Sequence, residues 1–232
     1  FRPGTQWDYS DAGPNWLAEC ITLAYRRDLE EWMFERVFTP LGIQPGDLSW
    51  RTNAYRPATI DGVARREFGA GIHANVDAMA RIGYLLLREG QWNGQEILTR
   101  DFVRLAPQTP PGHHLLPVRL PETYNNAAQH YGLLWWNNAD STLPGVPSDA
   151  YWSWGLYDSL ILVIPSLDVV VARAGQSWKR EIGAHHYDVL RPFFLPIVQA
   201  VCPQSQAPAP REEHSSGQTA MATLLCSSFA DA

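Results

Sequence analysis

Tyr9 is the first residue of this sequence whose type and setting can do chemistry. It stands in the run Pro3-Gly4-Thr5-Gln6-Trp7-Asp8-Tyr9-Ser10-Asp11, just ahead of Pro14. A phenol in a turn before a helix can act as a base only if a nearby cation lowers its pKa from about 10. Otherwise a turn tyrosine is a half-buried packing group. His113-His114 and His185-His186 are adjacent pairs, and adjacent side chains diverge on a helix or strand, so neither pair grips one ion easily. There is no His-Glu-x-x-His, Cys-x-x-Cys or Gly-rich phosphate loop, and Cys20, Cys202 and Cys226 fall at no metal-like spacing. Neither a metal nor a cofactor is expected. Asp140, Asp149 and Asp158 offer carboxylates for glycosidic chemistry, but nothing fixes them together, and they read as solvated loop residues. Trp135, Trp136, Trp152, Trp154 and Trp178 gather near the expected strands. They read either as an aromatic floor for a sugar or acyl chain or as strand packing, and packing is favoured.

The elements that must position these residues follow from periodicity and punctuation. Pro14 suits the start of a helix, with Trp16, Leu17, Cys20, Ile21 and Ala24 on one apolar face and Arg26 and Arg27 near its end. A short helix is expected over 29–37, ended by Pro40-Leu41-Gly42, and then an irregular crossing segment over 44–72. The clearest helix covers 76–88, with Asn75 as N-cap and Gly90 as its stop. A turn at Trp92-Asn93-Gly94 leads to a short helix near 99–105, and the Pro-rich stretch 107–123 reads as surface loop. The period then changes. Strands are expected over 131–137, 151–155, 159–164 and 169–174, the last two joined through the turn Pro165-Ser166-Leu167-Asp168. Those two are nearly all apolar, so both faces of their hairpin should be covered. A final helix over 187–201 would pack on the sheet. Pro, Ala, Ser, Gln and Glu dominate residues 203–219, residues 221–232 have no clear periodicity, and 203–232 read as a disordered tail after a domain of 1–202.

Composition excludes several classes. The 232 residues are 45% hydrophobic and 18% charged, which rules out wholesale disorder and allows a sizeable core. A net charge of −6 argues against a nucleic-acid binder. No run of 18 apolar residues exists, so no transmembrane segment is expected. Oligomeric state is not legible.

Several segments together resemble the serine β-lactamase superfamily, which includes class C β-lactamases, penicillin-binding proteins and family VIII esterases. Pro-Gly-Thr-x-Trp-x-Tyr-Ser-Asp at residues 3–11 is similar to its second motif, usually Tyr-x-Asn, with Asp11 in the third place. Val37-Phe38-Thr39-Pro40-Leu41-Gly42 resembles its Phe-x-Pro-Leu-Gly segment, and residues 71–81 resemble its Asp-Met-Ala-Arg helix. Gly90-Gln91-Trp92-Asn93-Gly94 resembles the turn that follows, and Gly132-Leu133-Leu134-Trp135-Trp136 the Tyr-Gly-x-x-Trp strand flanking the site. The third motif, Lys-Thr-Gly, His-x-Gly or Trp-x-Gly, falls on Ser153-Trp154-Gly155, or with a small shift begins at Trp152. No lysine or histidine stands there, which fits esterases and amide hydrolases better than a penicillin-specific enzyme.

The resemblance implies an α+β, β-lactamase/transpeptidase-like fold, an antiparallel sheet packed with helices and lacking its N-terminal part. It implies a serine hydrolase acting on a small-molecule ester or amide through an acyl-enzyme. Tyr9 would be the base or proton relay, and Asp11 would hydrogen-bond the substrate or the family's lysine. Ser153 to Gly155 would line the pocket and supply a backbone oxyanion donor, and Arg173 would be analogous to an arginine of some members. The nucleophile motif Ser-x-x-Lys is absent: no serine has lysine three residues on, and the sole lysine, Lys179, follows Gln176 by three. In the family this motif lies well upstream of the tyrosine, so the nucleophile is expected ahead of Phe1 and this chain alone is expected to be inactive. The alternative is a non-catalytic ligand- or partner-binding protein, or an inactive relic, on the same fold. The resemblance favours a bacterial periplasmic or secreted protein, while the residues themselves leave the compartment open.

Overall fold

The computed structural model describes residues 2–181 and 185–202. The tail read over 203–232 lies outside the described residues. Helix α1 spans Ala12–Tyr25, starting earlier than Pro14, and Arg26 closes it in the left-handed region at φ 51°. Its apolar stripe does not face the core. Trp16 and Leu17 are 56% and 50% exposed, whereas Ala18, Glu19 and Thr22 are buried. Glu19 tolerates burial because Arg56 (2.7 Å) and Arg65 (3.5 Å) reach its carboxylate.

Helix α2, Leu29–Met33, is capped by the Asp28 carboxylate and continues as one π-helical turn over Phe34–Phe38. The segment read as irregular holds short strands: β1 (Leu48–Trp50), β2 (Thr59–Ile60), β3 (Val63–Ala64) and β4 (Ile72–Ala74). β1 pairs with β4 and β2 with β3, all antiparallel. Strands of two or three residues carry no readable alternation. Side chains tie them down instead: Arg66 binds Asp28, Glu30 and the Trp50 carbonyl, and Arg51 binds the buried Glu67 at 2.9 Å.

Helix α3, Val76–Leu87, begins where the Asn75 side chain accepts the Ala78 N–H at 2.8 Å. Gly90 stops it at φ 86°, and a Cβ there would lie 2.0 Å from the Leu98 carbonyl, so only glycine fits. The β5 (Gln91–Trp92) and β6 (Gln95–Glu96) hairpin turns on Asn93-Gly94, both at positive φ. Helix α4 (Arg100–Leu105) is capped by Thr99, and helix α5 (Pro121–Tyr124) lies in the Pro-rich stretch.

The main sheet contains β7 (Trp136–Asn137), β8 (Tyr151–Trp154), β9 (Leu160–Ile164) and β10 (Val169–Arg173), antiparallel in that spatial order. β7 is much shorter than the strand read over 131–137. Leu134 at φ 65° and the Gly132 N–H on the Trp135 carbonyl (2.7 Å) fold the first half into a turn. Side chains alternate along β9. Leu160, Leu162 and Ile164 join a core with Trp152, Leu190 and Phe194, while Ile161 and Val163 join another with Tyr151, Leu86 and Val103. Helix α6 (Arg191–Val201) supplies Phe194 and Val198 to the first face. α3 covers the second, and its Gly83 permits the contact: a Cβ there would sit 2.6 Å from Val170 Cγ1. β9 is buried on both faces as expected, whereas β10 is half-buried along its length. The last helix begins at Arg191, and residues 187–190 form a turn whose Tyr187 and Leu190 are buried. The architecture is α+β, with an antiparallel sheet between helices.

Candidate active site

Tyr9 is delivered to the sheet by the segment before α1. Trp7 is buried and bonded on both sides to the 117–119 segment: its N–H donates to the Pro117 carbonyl (3.0 Å) and its carbonyl accepts from Arg119 N–H (2.9 Å). Asp8 pairs with Arg119 at 2.9 Å. Two residues beyond Trp7, the Tyr9 ring stacks on Trp136 (5.5 Å between centroids, 21° between planes) and meets Tyr124 at 5.4 Å and Tyr131 at 5.8 Å. Burial, then the charge of Asp11, then Tyr124 hold the Tyr9 phenol above its ordinary range. The same environment raises Tyr124 and Tyr131, in both by burial first. Asp11 is exposed at the start of α1 and makes no capping hydrogen bond. Its carboxyl is also raised, by partial burial and then by the charge of Glu67. Its Cβ presses on Gly69, where an added Cβ would lie 2.6 Å away. The Asn15 side chain fixes this contact by accepting the N–H groups of Phe68 (2.8 Å) and Gly69 (3.3 Å).

Of the residues expected to form the third motif, Trp154 shares a ring neighbour with Tyr9. Trp136 is their shared neighbour, stacked on Tyr9 and 6.3 Å from Trp154. Trp152 shares that face of β8 but is 1% exposed and packs on Phe194 at 5.3 Å, so it belongs to the core. Ser153 points to the opposite face, and its hydroxyl accepts the Ile161 N–H at 3.1 Å. The Gly155 N–H donates to the Ser159 carbonyl at 2.9 Å.

The other candidates separate. Arg173 donates to the carbonyls of Tyr157, Asp158 and Gln176 and lies 4.1 Å over Trp178, a bracing role. Trp135 faces Tyr151 on the other side of the sheet, and Trp178 packs on Phe193. The expectation that the three aspartates are solvated fails for Asp158, which is 3% exposed. It accepts from Trp154 Nε1 (2.9 Å), the Trp178 N–H (2.8 Å) and Arg180 Nη2 (2.6 Å). Burial works against its charge, but these donors, Arg180 foremost, hold the carboxyl below its usual range. Asp140 lies 3.1 Å from Nδ1 of the fully buried His130, and Asp149 caps Ser166.

Sequence reasoning missed two groups around Tyr9. Tyr124 sits in a Pro-rich stretch with no periodicity to mark it. His186 reads in the sequence only as half of an adjacent histidine pair. It lies instead on Trp154, with ring centroids 4.4 Å apart, and meets Tyr124 at 5.3 Å. Burial, then Arg180, push its pKa down to about 4, so the imidazole is neutral at physiological pH. A cavity of about 510 Å³ opens beyond Tyr187, between Thr142 and Arg191, but neither Tyr9 nor Trp154 lines it. Among the described residues no group of three or more His, Cys, Asp or Glu side chains is placed to hold a metal, and no helix is long and apolar enough to cross a membrane.

This layout of tyrosine segment, helix, crossing segment and antiparallel sheet is that of the serine β-lactamase and transpeptidase superfamily. The chain belongs to the β-lactamase family, whose model matches residues 1–191. A Bacillus anthracis protein assigned as a 6-aminohexanoate-dimer hydrolase shares the fold at 20% identity and TM-score 0.63, over 87% of this chain and 46% of that one. A penicillin-binding protein homologue from Caulobacter crescentus is similar at 16% identity and TM-score 0.55, over 80% and 55%. Simvastatin synthase from Aspergillus terreus is similar at 17% identity and TM-score 0.56, over 84% and 55%. The chain thus spans about half the length of these structures. No curated protein sequence matches it. The family is one of serine hydrolases.

Proposed function

We propose that the protein is the tyrosine-bearing portion of a β-lactamase-related serine hydrolase that cleaves an ester or amide through an acyl-enzyme. Residues 1–202 would be the partial hydrolase domain. The observation that carries this reading is the convergence of Tyr9 and Trp154 on Trp136, which brings the second- and third-motif segments to one place. No serine here is followed three residues on by lysine, so the nucleophile is assigned to a segment outside residues 1–232. Electrostatics agree with that division. Every resolved influence on the Tyr9 phenol raises its pKa, so with these residues alone it is a neutral hydroxyl and a poor base. Among the described residues the Asp11 carboxylate has no hydrogen-bond or ion-pair partner. A lysine placed there would lower both pKa values and turn the phenol into a usable proton relay. Asp11 can only accept, so it suits a cationic partner, whereas the family's asparagine can also donate.

In a form of the protein carrying the nucleophile, Tyr9→Phe should lower kcat for p-nitrophenyl butyrate by about 100-fold or more, the range expected for loss of a general base. Residues 1–232 alone should show neither a burst nor turnover. Near-complete activity in Tyr9→Phe would remove Tyr9 from the mechanism. A second reading, a ligand-binding protein on the same fold, draws on the Gly155 N–H and the Ser153 hydroxyl being spent within the chain. It requires that adding a Ser-x-x-Lys segment produce no ester turnover.

A further inference from the structure

His186 has no task in the reading above. Its ring lies on Trp154 at 4.4 Å, with Tyr187 at 5.2 Å, Tyr124 at 5.3 Å and Trp136 at 6.0 Å. It is half-buried, and neither ring nitrogen has a hydrogen-bond partner among the described residues. A neutral imidazole carries one donor and one acceptor, and no described residue uses either of them here. The contrast with His130 is informative. The Nε2 of His130 is also unpaired but fully sealed, beyond the reach of a ligand. His186 is open enough to be reached.

Its position is built. The Asp158 carboxylate holds the indole N–H of Trp154 and also the Trp178 N–H and Arg180. One carboxylate therefore holds Trp154, the ring on which His186 lies, together with Trp178 and Arg180. Through Tyr124 the imidazole adjoins the ring that also touches Tyr9.

We propose that His186 is a substrate-contacting residue of this site, giving a hydrogen bond to an uncharged ester or amide bound on the open side of the Trp154 and Tyr124 rings. The inference rests on the hydrolase reading for its substrate class. Burial and Arg180 keep the ring unprotonated at neutral pH, so it can either donate to a carbonyl or accept from an amide N–H.

The test is calorimetric titration of the 232-residue chain with 4-nitroacetanilide, an amide that gives a binding signal without a nucleophile. His186→Phe keeps a ring on Trp154 but has no hydrogen-bonding atom, and it should bind about tenfold more weakly. His186→Gln should stay within about threefold of wild type, a pattern that loss of packing would not give. Leu17→Gln, on the exposed face of α1, should bind like wild type, and turnover of Tyr9→Phe in the nucleophile-bearing form tests the hydrolase reading separately. Equal affinity in wild type and His186→Phe overturns the proposal, as does no binding to wild type. If His186→Phe does not melt cooperatively, His186→Leu takes its place under the same criteria.

Discussion

At the scale of single residues, the site is defined by what its charges lack. Tyr9, Tyr124 and Tyr131 all sit in burial and beside Asp11, and all three phenols are pushed towards the neutral form. Asp8 is answered by Arg119, whereas no described residue pairs with the Asp11 carboxylate. His186 responds to the same burial in the opposite direction. Its folded pKa of about 4 lies below the ordinary 6.5, so between those values the unfolded chain takes up a proton that the folded chain refuses. Stability should therefore fall as pH drops from about 6.5 towards 4. Arg180 and His130 disfavour protonation of the ring and Asp158 favours it; the Tyr124 and Tyr187 rings complete its surroundings. Asp158 acts lower on the scale: its carboxyl is held down, so its contribution is complete above about pH 4 and lost below. Urea midpoints measured from pH 7 to 4.5 should decline in wild type and decline less in His186→Gln. An identical slope in the variant would assign the proton to another group. Tyr9 was legible in the sequence because a motif surrounds it. His186 and Asp158 were not, because their roles come from tertiary partners on separate segments, Trp154 and Arg180, and no local spacing marks such a partnership.

At the scale of elements, the sequence is most readable where local chemistry decides the outcome. α3 has its Asn75 cap, its apolar stripe and its Gly90 stop, and it forms where those signals place it. β8, β9 and β10 were likewise visible as apolar runs around a proline turn. The short strands β1 to β4 were not, since charged side chains such as Arg66 and Glu67 hold them rather than any alternating face. α1 was found but its orientation was misread. The stripe of Trp16, Leu17 and Ala24 looks like a core face, yet the described body buries Ala18, Glu19 and Thr22. Two substitutions measure that inversion. Leu17→Gln should change stability by less than about 0.5 kcal/mol, as for other exposed sites. Glu19→Leu, more apolar and nominally better suited to a core, strands Arg65, whose side chain is only 12% exposed. It should cost about 1–3 kcal/mol. Chemical denaturation of both variants decides it, and the reverse order would mean that α1 buries its other face in solution.

At the scale of the whole molecule, the site joins two kinds of structure. Trp136 and Trp154 stand on the central sheet, whereas Tyr9, Tyr124 and His186 come from segments lying outside its strands. The floor is held by β9, whose five residues are all buried and whose two neighbours both bond to it. α6 and α3 cover its opposite faces with independent clusters, so exposing β9 requires both layers to come apart. Opening of that kind approaches global unfolding, while α1, with half of its surface in solvent, can open locally. Native-state hydrogen exchange should therefore find the slowest amides in 151–154 and 160–164 and faster exchange in 12–25, with a separation of about 100-fold or more. Binding of an ester or amide analogue should slow amides around Tyr9 and His186 without changing those of β9, because the floor is already ordered and only the surrounding segments gain contacts. Comparable rates in β9 and α1 would mean that the sheet is not the rigid support, and the geometry by which Trp136 joins Tyr9 to Trp154 would then need another source.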